Sequence, residues 1–172
     1  GLGLERIVLY TTRPIREGEA EGREYHFVDS ARYEALLAAG KVIEARSYDT
    51  MYGVWTYFTA EEGIDLAKTS YLTIGTLESY EKLKSYFGEK QVVPVYVELE
   101  DGERLSRALA RERLQETPRY AELCRRFLAD CADFSEEKLA AAGINRRFVN
   151  DDLERCCGET VSYTHLRAHE TR

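Results

Sequence analysis

Short apolar strands alternate with helical segments from Ser70 onward, a strand-rich stretch with one helix precedes them, and the chain has 172 residues. Together these features predict an α/β fold with a parallel sheet, because strand-helix-strand order places successive strands side by side in one direction. A chain of this length buries about two-thirds of the surface its unfolded form exposes, enough for one domain with its own core. With 32% charged and 44% hydrophobic residues and only three prolines, the chain is neither a low-complexity disordered polymer nor collagen-like.

The first strand is expected at Ile7–Tyr10. A polar excursion to Glu24 follows, then a short strand over Tyr25–Val28. Asp29 or Ser30 opens a helix that ends at Gly40, the usual order of a side-chain acceptor at the start and a glycine at the stop. Lys41–Tyr48 alternates as a strand and Val54–Phe58 reads as its neighbour, after which Thr59-Ala-Glu-Glu62 has the spacing of a capping box. The later elements are a strand at Tyr71–Ile74, a helix at Glu78–Phe87, a strand at Val92–Leu99 and helices at Gly102–Gln115, Pro118–Asp130 and Ser135–Ala142. A last short strand at Phe148–Val149 leads to a helix capped by Asn150 or Asp151.

Composition narrows function before any motif does. Twenty-four Lys and Arg against 31 Asp and Glu give a net charge of −7, which argues against a broad nonspecific nucleic-acid surface and leaves room for a focal anion site. No run of about 20 apolar residues occurs and the start lacks a basic-then-apolar signal, so a cytoplasmic protein with no membrane partner is expected. Cys124, Cys131, Cys156 and Cys157 contain no Cys-x-x-Cys pair and are read as reduced thiols.

The stretch richest in chemistry is Tyr10-Thr-Thr-Arg-Pro-Ile-Arg-Glu-Gly-Glu19, followed by Glu21-Gly-Arg-Glu-Tyr-His-Phe-Val28. Arg13 and Arg16 lie three apart just after a strand, Pro14 stiffens the loop between them, and a tyrosine follows a glycine-bearing turn. Forked guanidinium donors match phosphate oxygens, so the pattern suits a phosphate clamp. On these residues alone, surface pairing of the same arginines with Glu17 and Glu19 is the favoured account. Glu44, in Val42-Ile-Glu-Ala-Arg46, is on these grounds the outward residue of an alternating strand, paired with Arg46.

This sequence resembles the guanylate kinases. The resemblance rests on Thr-Thr-Arg-x-x-Arg-x-Gly-Glu from Thr11, Gly-x-x-Tyr-x-Phe-Val from Gly22, and Glu44 before Tyr52-Gly53. It implies a P-loop kinase-like parallel sheet whose first strand and P-loop are missing, an inserted β-rich monophosphate-binding lobe at about 11–69, and a helical lid with flanking helices at about 102–132. It also implies that Arg13, Arg16, Tyr25 and Tyr52 hold the GMP phosphate while Glu44 reads guanine. Guanine presents two adjacent donors, N1–H and the N2 amino group, that one carboxylate accepts together, and adenine has no such pair. Arg107, Arg111 and Arg125 of the lid helices would neutralise the transferring phosphoryl group, although interspersed charges of this kind also describe plain helix surface. Asn150 would lie near the adenine of ATP. The implied reaction is magnesium-dependent phosphoryl transfer from ATP to GMP, giving ADP and GDP. The alternative is a noncatalytic module of the same shape that holds a phosphorylated ligand.

Leu9 and Val54 stand where the family has hydroxyl side chains, and Thr76 stands at the place of a strand-ending aspartate. No Gly-x-x-x-x-Gly-Lys-Ser/Thr loop occurs in the chain. The expectation is therefore a partial domain over residues 1–160, begun mid-protein and inactive alone. Residues 161–172 resemble translated sequencing adapter and are expected to be a non-native tail with no part in packing. On that reading His165 and His169, with Cys156 and Cys157, form no zinc site.

Overall fold

In the computed structural model, which describes residues 3–50 and 53–170, the chain separates into two compact units. One runs to Gly75 and includes Lys82–Gly88; the other comprises Thr76–Glu81 and the chain from Glu89 onward. The α/β class is as the sequence predicts. Among the described residues, no helix is long and apolar enough to cross a membrane.

The first unit is built around β5 (Gly53–Ala60), which pairs antiparallel with both β2 (Tyr10–Thr11) and β4 (Val42–Thr50). With β3 (His26–Phe27) parallel to β2, the order is β3-β2-β5-β4. Helix α1 (Ser30–Ala38) starts where Asp29 accepts the Arg32 amide at 2.8 Å, and the chain leaves it through Gly40 at φ +68°. That left-handed conformation is cheap for glycine and strained for a residue with a Cβ. Tyr10 and Phe58 share one face of the sheet in register, and Leu36 and Tyr33 of α1 pack on it. A second, parallel pair joins β1 (Leu4–Arg6) to β6 (Ser70–Leu72).

Of the expected strand at Ile7–Tyr10 only Tyr10 lies in a strand, since residues 4–6 form one strand, residues 10–11 another, and residues 7–9 connect them. The capping box at Thr59 is also corrected. Thr59 lies inside β5, no helix follows, and Glu62 instead bridges Arg32 at 2.7 Å and Lys41 at 3.2 Å. The short-range spacing was satisfied, but an unfinished strand claimed the threonine first.

In the second unit β7 (Tyr96–Glu98) runs parallel to β8 (Arg147–Val149). Pro94 lacks an amide donor and lies before β7, so the expected strand at 92–99 shortens. Helices α3 (Asp101–Arg113), α4 (Tyr120–Asp133) and α5 (Glu136–Ala141) lie between the two strands in sequence. Leu139, Ala142 and Ile144 close over Leu77 at the start of α2 (Leu77–Phe87), with Tyr80, Tyr96 and Phe134 against them. Arg147 ties the strand pair to α5 through Glu98 at 2.6 Å and the Glu136 carboxylate at 2.8 Å.

Helix α6 (Leu153–Glu170) is capped by Asp152 rather than Asn150 or Asp151, because Asp152 accepts the Arg155 amide at 2.8 Å. The expectation that residues 161–172 take no part in packing does not hold for Tyr163. Its ring lies 5.4 Å from that of the buried Phe148 and beneath the Arg146 guanidinium at 4.6 Å.

Candidate functional site

Strand register decides which side chains meet. Thr11 is opposite both Phe27 and Tyr57, Arg46 is opposite Tyr57, and Glu44 is opposite Thr59, so these residues share the sheet face turned away from α1. Glu44 reaches that face through a β-bulge. Val42 pairs with Ala60 and Glu44 with Thr59, leaving Ile43 as an extra residue on β4. Regular pairing from Val42 would have set Glu44 opposite Phe58, against the apolar core under α1. The bulge gives that place to Ala45 and sends the carboxylate to the polar face.

Once there, Glu44 is 4% exposed. Its Oε1 accepts from the Thr59 hydroxyl at 2.8 Å, and its Oε2 lies 3.3 Å from Arg46 Nε. The pairing with Arg46 read from the sequence is present, but Glu44 is buried rather than outward. A carboxylate oxygen accepts more than one hydrogen bond, so this group keeps acceptor capacity for a pair of ligand donors.

At the other end of the same face Arg13 is also 4% exposed. Its Nη1 and Nη2 donate to Glu19 at 2.7 and 2.6 Å, and Nη1 also donates to the Pro14 carbonyl at 2.9 Å. The guanidinium lies over the rings of Tyr25 and Phe27, 5.1 and 5.3 Å from their centroids. Its pKa is raised above the ordinary arginine value, chiefly by the Glu19 hydrogen bond with a smaller contribution from Tyr57, and the same contact pulls Glu19 down to about 2. Tyr57 sits against Tyr25 at 5.5 Å and opposite Arg46, so it spans the interval between the two charged centres. Arg16 is exposed and contributes its main-chain amide to Glu19 at 2.8 Å. Tyr52 lies outside the described residues.

The structure thus gathers Arg13, Tyr25 and Glu44 onto one face. The sequence reading missed Thr59, Tyr57 and the part Glu19 takes. The first two were within reach, since they continue the period-two alternation of Trp55 by one and two steps. Glu19 was read only as one possible surface partner.

The lid candidates are in the second unit. Arg107 donates to Glu103 at 2.7 Å and to the Asn150 carbonyl at 3.1 Å, which brings two of the expected residues into contact. The Asn150 amide in turn donates to the Glu98 carbonyl at 2.8 Å. Arg111 is exposed at the end of α3. Arg125 makes a fork on Glu122 at 2.8 Å to each oxygen, and Arg126 shares that carboxylate. These two contacts hold the Glu122 pKa at about 2.

A family model described as guanylate kinase matches residues 4–159. The chain belongs to the guanylate kinase family. Among curated relatives, a guanylate kinase of Rhodopseudomonas palustris is 44% identical over 52 residues, 30% of this chain and 24% of that protein. One of Neisseria gonorrhoeae is 43% identical over 70 residues, 40% of this chain and 32% of that protein. These alignments cover about a quarter to a third of each relative. The crystal structure of guanylate kinase from Anaplasma phagocytophilum superposes with a TM-score of 0.61 at 21% identity, covering 99% of this chain and 78% of that one, a likeness of fold.

Guanylate kinase family membership implies magnesium with ATP. Thr76, where the resemblance implies a carboxylate, accepts the Ser79 amide through its hydroxyl at 3.3 Å in the manner of a cap on α2. No three His, Cys, Asp or Glu side chains are grouped to hold a metal among the described residues.

Proposed function

We propose that residues 11–69 form the guanine-selective monophosphate site of a guanylate kinase, and that the protein they belong to transfers a phosphoryl group from ATP to GMP. The observation that carries this reading is Glu44, a buried carboxylate steered by a bulge onto a polar face and steadied by Thr59 and Arg46. Each carboxylate oxygen accepts more than one hydrogen bond, and guanine supplies two donors in parallel. Arg13, Arg16, Tyr25 and Tyr52 take the phosphate, in keeping with the stacked, forked Arg13. Arg107, Arg111 and Arg125 act on the transferring group and Asn150 lies toward the adenine. Phosphoryl transfer depends on positioning and charge stabilisation around both nucleotides. The chain contains no Gly-x-x-x-x-Gly-Lys-Ser/Thr loop, so these residues alone bind monophosphate weakly and do not turn over.

A second reading, a noncatalytic module holding a phosphorylated ligand, is favoured by Thr76 at the place of the family's carboxylate. A coupled assay with GMP, ATP and magnesium separates the two. The chain joined to a guanylate kinase P-loop segment is expected to form GDP. A stable, GMP-binding but inactive protein would move the weight to the module, and turnover by the 172 residues alone would show an ATP site of another kind.

A further inference from the structure

Glu19 bonds to both arginines of the phosphate clamp. Oε2 accepts from Arg13 Nη1 at 2.7 Å and Oε1 from Arg13 Nη2 at 2.6 Å, while Oε2 also accepts the main-chain amide of Arg16 at 2.8 Å. One carboxylate therefore fixes the side chain of the first arginine and the backbone of the second. The fork sets the plane of the Arg13 guanidinium, and that plane lies over Tyr25, which places a third clamp residue under the same control.

A carboxylate beside a phosphate site would ordinarily be expected to weaken it by repulsion. Arg13 and Arg16 both lower the pKa of Glu19, and the Arg13 contact keeps it ionised with a value of about 2. Against the screened repulsion stands the cost of ordering a loop and a long side chain each time an anion arrives, a cost that a preformed fork removes. We propose that Glu19 is the positioning residue of the monophosphate clamp, strengthening phosphate binding despite its negative charge by holding Arg13 and Arg16 in place. This rests on the reading of the lobe as a monophosphate site.

The sign of the effect makes the proposal testable. GMP and guanosine are titrated by NMR into the full chain as wild type, Glu19→Gln and Glu19→Asp, with melting temperatures alongside. Glu19→Gln turns one acceptor into a donor facing Arg13, and GMP affinity is expected to fall about tenfold or more while guanosine binding holds and the melting temperature drops only modestly. Glu19→Asp keeps the charge with a shorter reach and should fall between the two. Unchanged or tighter GMP binding by Glu19→Gln would make Glu19 a mere repulsive neighbour and overturn the proposal. Parallel losses of GMP binding, guanosine binding and melting temperature would overturn it too, by making Glu19 a fold-maintaining residue. A wild type that binds neither ligand would instead bring down the reading of the lobe, and this proposal with it.

Discussion

Arginines serve two different purposes in the small sheet of residues 10–60 and in helices α3 and α4. In the sheet, Arg13 is buried, stacked on two rings and forked to a carboxylate across a loop. In the helices, Arg125 and Arg126 are exposed and paired with Glu122 one turn away, as Arg107 is with Glu103. The first arrangement needs the tertiary fold, whereas the pairs with Glu122 and Glu103 need only helical spacing, to which Arg107 adds its contact with the Asn150 carbonyl. A buried guanidinium that is both stacked and forked therefore marks a site more strongly than charge density does, and on that measure the sheet is the better-defined half of the candidate machinery.

The contrast extends to the apolar side chains of the two regions. Phe58 is fully buried between Tyr10 and Tyr33, and Phe58→Ala is expected to cost about 3–5 kcal/mol in chemical denaturation. Leu128→Ala on α4, where the leucine is mostly exposed, should stay within about 0.5 kcal/mol. A comparable loss at both positions would erase the distinction. Next in size is Arg13→Ala, which removes several charge-assisted hydrogen bonds and should cost about 2 kcal/mol of stability along with GMP binding.

Much of this was legible in the sequence. Asp29 and Gly40 announce α1, and the Thr11–Gly53 pattern identifies Arg13, Tyr25 and Glu44 as a set. The surroundings of that set were less legible, because they depend on register. Nothing local to Ile43 marks it as a bulge, yet the bulge alone decides whether Glu44 faces Phe58 or Thr59. Thr59 itself was read as a helix cap, since capping spacing is a three-residue signal and strand continuation is not. The Asp152 cap was missed for a similar reason, with several acceptors side by side at 150–152 and only backbone geometry to choose among them.

Acid titration gives a finer comparison. Glu19 and Glu122 both have folded pKa values near 2, from Arg13 in the first case and Arg125 in the second. A lowered folded pKa contributes stability that is present above the ordinary glutamate value of 4.5 and is lost as pH falls through about 2. Carboxylate carbon shifts followed by NMR should show both midpoints far below that ordinary value. A Glu19 midpoint close to it would mean the Arg13 fork does not persist in solution. The smallest effect is expected from Arg125→Ala, which should change the melting temperature little because solvent screens this exposed pair and Arg126 still holds Glu122.

The central claim is that Glu44 selects guanine. Trp55, the single tryptophan, alternates onto the same sheet face as Tyr57 and Thr59 and offers a fluorescence probe for titrating GMP and AMP into wild type and Glu44→Gln. GMP should bind more tightly than AMP to the wild type, and Glu44→Gln should lose about 2 kcal/mol of GMP binding while AMP stays where it was. Equal binding of GMP and AMP by the wild type, or a Glu44→Gln variant that keeps the preference, would contradict the account.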